Sequence, residues 1–256
     1  MKKTAITAAG ALLLAASAAS AHYGMIIPAD SMVSQEDGRS VAFEISFSHP
    51  FEKAGMILET PAAFTVTHDG ETRDLLGDLK PATIMGSPGF TLDYALDRPG
   101  AHVFAMTPTP YWEPEEDAFI THFTKTYVSA YDDAEGWDAE LGLKTEIVPL
   151  TKPFALWAGN VFQGVVKLDG EPVPYAEVEV EFYNEDGAAT VPSELMVTQT
   201  VKADGNGVFT YAAPSPGWWG FAALSTAKEP LQHEGVDKDH ELGAVIWVRF
   251  EPWVRQ

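Results

Sequence analysis

The chain has 256 residues, 46% of them apolar, with 37 acidic against 16 basic side chains and a formal net charge of −21. A field of that sign repels nucleic acid and anionic lipid and gathers cations near the surface. With no cysteine there are no disulfides, no thiolate metal sites and no cysteine nucleophile, so any bound ion must be held by nitrogen, oxygen or thioether sulfur.

Residues 1–21 read as a secretory signal peptide: Lys2 and Lys3 are followed by a short small-residue apolar run and by Ala19-Ser20-Ala21, an Ala-x-Ala cleavage pattern. The run is too short to span a bilayer, and the chain has no second long apolar segment. The processed chain is therefore expected in an extracytoplasmic space, the periplasm by the style of the leader, without membrane insertion. Cleavage after Ala21 makes His22 the first residue, able to offer its α-amino group and its ring to one ion.

Strand patterns dominate the rest of the chain. Val41, Phe43, Ile45 and Phe47 alternate with Ala42, Glu44, Ser46 and Ser48, the period of a half-buried strand. His49 shares the parity of the apolar set, and Pro50 ends the pairing. Next, Phe64 to Thr67 leads into His68-Asp69-Gly70-Glu71, a hairpin signal; Arg98-Pro99-Gly100 turns into a strand to Met106; and a further strand runs from Phe119 to Val128. Residues 135–143 read as a brief helical turn or a loop.

Two prolines mark an extended crossing over 144–153, and the domain boundary is placed here, giving an N-terminal β-sandwich over 22–150 and a second over 151–256. The second unit repeats strand, Asp-Gly turn and strand around Asp169-Gly170 and Asp204-Gly205, and closes on Ala244 to Phe250. The expected fold is all-β, two antiparallel sandwiches, the second prealbumin-like or carboxypeptidase-regulatory-like.

Seven histidines are the candidates for chemistry. His68 reads as a solvated hairpin tip, His102 as a hydrogen-bonded core residue, and His233 and His240 as members of a polar loop whose carboxylates are a weak candidate for a second cation. His22, His49 and His122 differ, being a processed terminus, the buried-parity end of a strand, and the successor of an acidic aromatic loop. An amine with two or three imidazoles suits nickel, cobalt, copper or zinc and not calcium or magnesium. Proton competition for such donors predicts affinity falling below roughly pH 6. Glu113 and Glu52 are candidates to complete the set or to orient a ring, and Met25 and Met56 are thioether candidates for copper(I) or core filling. Hydrolase and phosphate-loop signatures are missing, so the chain is expected to bind and not to catalyse.

Read in order, the terminal His22, His49-Pro50-Phe51-Glu52, Pro110-Tyr111-Trp112-Glu113-Pro114, Phe119-Ile120-Thr121-His122 with Thr124-Lys125, Gly136-Trp137-Asp138, Leu156 to Asn160 and Gly217-Trp218-Trp219-Gly220-Phe221 resemble one bacterial periplasmic family, domain of unknown function 4198. The resemblance spans nearly all of the processed chain. It implies capture of nickel or cobalt and presentation of the ion to an inner-membrane metal uptake transporter, with His22, His49, His122 and, more weakly, Glu113 as metal ligands. Two rival readings remain: a copper-dependent oxidative enzyme with an N-terminal histidine brace, and a metal-free carbohydrate or protein interaction module built on the tryptophans.

Overall fold

The computed structural model describes residues 22–254; the leader and its cleavage site lie outside the described residues. These residues form an all-β protein without an α-helix, its only helical turns being the short 3-10 segments Leu76–Asp78 and Glu194–Met196. Residues 135–143 are an irregular loop, as expected.

Three sheets make two sandwiches. The first sheet orders Tyr23–Pro28, Ser40–His49, Ser87–Ala95 and Lys80–Ile84, with Ala54–Met56 added against Ser40–His49. A twelve-stranded sheet runs through both halves of the chain, and a four-stranded sheet built on Val161–Leu168 covers its C-terminal part. The alternation read from residues 41–47 is present, with Val41, Phe43, Ile45 and Phe47 all buried. They pack with Phe64, Phe104 and Ile120 between the first sheet and the N-terminal part of the large one. Phe162, Val166 and Phe209 pack with Val178, Val180 and Ile246 in the C-terminal sandwich. At Asp69-Gly70 and Asp169-Gly170 both residues take positive φ, the twist that a two-residue hairpin requires.

The large sheet is mainly antiparallel; besides two short parallel pairings, of Met32–Val33 with Ser129–Ala130 and of Leu156–Trp157 with Phe250–Glu251, it is parallel where its two halves join. There Ala118–Ala130 and Val236–Glu251 run parallel, with His122 opposite Gly243 and Ile120 opposite Glu241. The strand Tyr23–Pro28 lies across this seam and is buried along its whole length. One face sends Ile26 into the N-terminal core and the other sends Tyr23, Met25 and Ile27 against Trp218, Val245 and Trp247. A strand covered on both faces needs no polar alternation, which accounts for the continuous apolar run Tyr23 to Pro28. The Trp247 indole donates to the Gly24 carbonyl at 2.8 Å and fixes the strand on the seam.

Candidate metal centre

Strand pairing gathers the three singled-out histidines. Tyr23 pairs with Ser48 in the antiparallel register of the first sheet, which sets the preceding residue, His22, beside His49 with ring centroids 4.7 Å apart. His122 comes from the large sheet behind them, and its Nδ1 accepts from the Gly24 backbone N–H at 3.4 Å. The Phe47 ring is a neighbour of both, 5.8 Å from the His22 ring and 5.7 Å from the His122 ring. Two glycines make room for His122: a Cβ at Gly243 would run into its ring, and a Cβ at Gly24 would collide with Thr124 and crowd the His122 backbone and Cβ.

Glu113 is supplied by a small hairpin in which Tyr111–Glu113 pairs with the start of Ala118–Ala130. Its Oε2 lies 3.0 Å from His22 Nε2, while its Oε1 accepts from the Glu115 N–H at 3.0 Å. A carboxylate on one ring nitrogen fixes the tautomer and leaves the lone pair on the other. Glu113 thus holds Nε2–H and presents His22 Nδ1, the ring nitrogen nearer the residue's own backbone nitrogen. Two acids that the sequence did not single out join the cluster. Glu116 Oε1 is 3.8 Å from His22 Nδ1, and Glu241 Oε1 is 3.3 Å from His122 Nε2. With Gly24 donating to Nδ1, the His122 proton sits on Nε2 and points at Glu241. These side chains are paired with one another: among the described residues, no three His, Asp or Glu already surround a common point.

Burial sets the protonation of this region. Desolvation, helped by His49 and His122 and opposed by Glu113, pushes the His22 ring down to about 4. Its lone pair therefore survives well below pH 6. Burial pushes Glu179 up to about 7, with the Glu241 and Glu116 carboxylates adding to it. Glu116 is raised by its own burial and then by Glu241 and Glu113. Crowded carboxylates whose charge is disfavoured are groups that a cation relieves.

The remaining candidates sort differently. His68 is not simply solvated: its ring stacks on His102 at 4.1 Å and its Nδ1 meets the Ala101 carbonyl at 3.1 Å. His102 is buried, as expected, with Nε2 on the Arg98 carbonyl at 3.1 Å. His233 and His240 belong to a hairpin, Leu231–His233 with Val236–Glu251, and not to a loose loop. His233 stacks on Trp112 at 3.8 Å, and His240 Nε2 meets Thr121 Oγ1 at 2.8 Å. Glu52 is exposed, Met25 is buried in the seam core, and Met56 packs on the N-terminal core. Trp218 and Trp219 are buried and one face of Trp112 is covered by His233, so these rings do not form an open stacking surface.

The C-terminal half secures the turn after His49. Asn184 donates through Nδ2 to the Phe51 carbonyl at 3.2 Å, Glu181 accepts from the Phe51 N–H at 3.1 Å, and Lys53 donates to the Glu185 carbonyl at 2.6 Å. Residues on both sides of the expected boundary at 150 therefore contribute to holding one histidine.

Among solved structures, the chain is similar to the D0-D1 domain of intimin, at 12% identity over 88% of this chain and 99% of that one with a TM-score of 0.27. It is similar to dimeric latent PorU from Porphyromonas gingivalis, at 13% identity over 87% and 20% of the two chains with a TM-score of 0.25. It is also similar to the alpha-2-macroglobulin of E. coli, at 10% identity over 90% and 14% with a TM-score of 0.24. No curated protein matches the chain. The family described as Domain of unknown function (DUF4198) matches residues 19–227. This protein is a member of that family.

Proposed function

We propose that the protein is a periplasmic transition-metal binding protein that captures nickel, or else cobalt, and delivers the ion to an inner-membrane uptake transporter. One observation supports the reading: His22 lies against His49, distant in sequence, His22 and His122 both neighbour the Phe47 ring, and Glu113 holds His22 by Nε2. Imidazole nitrogens with a processed α-amino group prefer late first-row divalent ions, copper among them, over calcium or magnesium. The ion is cargo, so capture must be reversible. Entry of the ion exchanges hydrogen bonds for metal bonds, with His22 Nδ1 and the amine as the first pair and His49 and His122 completing the set. Glu113 then serves as the orienting carboxylate, and Glu116 and Glu241 bring negative charge to the rim.

Calorimetry with nickel on leader-processed protein tests this. One ion per chain is expected, with binding lost in His22→Ala and weakened at least tenfold in His49→Ala. Equal affinity of the wild type and both variants would refute the assignment.

A further inference from the structure

Beside His122 a cavity of about 260 Å³ opens. Its walls are mainly apolar, formed by Phe47, Leu58, Met106, Pro110, Tyr111 and Ile120, and His122 and Gly24 also line it. Phe47 is common to both sites: the ring that meets His22 and His122 also lies 5.1 Å from Tyr111 across the cavity wall. Ile57, half exposed at 52%, stands among the lining groups. Glu59 is the lone carboxylate of the lining, and no lysine or arginine contributes to it.

A hydrated ion gains nothing from such walls, because apolar surface cannot replace the hydrogen bonds of its water shell. A small organic ring does gain, since a concave apolar pocket with a few polar groups is the usual form of a small-molecule site. The charge of the lining narrows the choice. One carboxylate and no basic side chain, in a chain of net charge −21, disfavour a citrate-like polycarboxylate and favour a neutral nitrogen donor. We propose that the ion enters as a complex with a small neutral chelator carrying an apolar ring, the ring filling this cavity while the histidines complete the coordination of the metal. This proposal rests on the metal-capture reading and adds the class of the cargo. The chelator fills part of the coordination sphere and leaves the protein to supply the rest. Aromatic faces of Phe47 and Tyr111 receive the ring.

Four calorimetric titrations of the leader-processed chain test it, using nickel alone, the one-to-one nickel complex of 2,2′-bipyridine, nickel citrate, and bipyridine without metal. The bipyridine complex is expected to bind at least tenfold tighter than nickel alone, with citrate weaker and free bipyridine much weaker. Ile57→Trp, which fills the cavity from a half-exposed position, is expected to remove that advantage while leaving binding of nickel alone and the thermal melt unchanged. If nickel alone binds and its bipyridine complex binds no tighter, the chelate proposal fails and the metal reading stands. An advantage that survives in Ile57→Trp, or free bipyridine binding as tightly as its complex, also overturns it. If no form of nickel binds, both readings fall.

Discussion

The pairing of His22 Nε2 with Glu113 Oε2 at 3.0 Å fixes the geometry of the first imidazole. Loss of such an orienting carboxylate typically weakens metal affinity about 10–100-fold. Glu113→Gln should therefore reduce nickel affinity within that range by calorimetry while the thermal melt stays close to wild type. A second buried acid bears on stability. Glu181 accepts from the Phe51 N–H at 3.1 Å and from Thr198 Oγ1 at 2.7 Å, and burial pushes it up to about 7. A carboxyl raised on folding binds its proton more tightly in the native state, so its contribution is full below the unfolded value of about 4.5 and is lost as pH rises through about 7. Glu181→Gln keeps both partners without the charge. It should stabilise the protein at pH 8 by up to about 3 kcal/mol and leave it unchanged at pH 4, as read by chemical denaturation at the two pH values.

At the scale of elements, the parallel seam determines what meets what. The strand Ala118–Ala130 carries His122 toward the cluster and, three residues on, buries Lys125 against Glu146 at 2.6 Å. The same carboxylate accepts from the Leu141 and Gly142 N–H groups, both at 3.0 Å, and so ties the irregular loop to the sandwich. Removing one partner of a buried pair leaves an uncompensated charge, at a cost of about 3–5 kcal/mol. Lys125→Met should lose about that much in denaturant unfolding, and Lys125→Met with Glu146→Leu should recover part of it. A double variant no more stable than the single one would show that Glu146 is not stranded by the loss of Lys125. Local pattern revealed the strand ending at His49, because alternation over residues 41–47 sets the facing of each side chain. Glu241 was not visible in that way: its partner His122 is 119 residues distant, and the register of a long parallel crossover leaves no mark in neighbouring residues. Glu116 was hidden for another reason. In an acidic loop any carboxylate resembles a solvated one until the fold brings a ring beside it.

For the whole molecule, the all-β sandwich class was legible from strand period and Asp-Gly turns, while Thr145–Pro149, placed before the expected boundary, pairs with Val161–Leu168 in the C-terminal sheet. The single large sheet that runs through both halves of the chain was not legible, since sheet continuity depends on strand order and not on strand pattern. Its consequence is that the C-terminal half does more than accompany the site: Asn184, Glu181 and the Glu185 carbonyl hold the turn after His49, and Glu241 faces His122. The central claim is that a processed His22 captures an ion together with His49 and His122. Native mass spectrometry of protein exported through its own leader in the presence of nickel tests it most directly. The account predicts a chain beginning at His22 that retains one nickel ion, and a His22→Ala chain that retains none; no retained ion in the wild type, or equal retention in the variant, would contradict it.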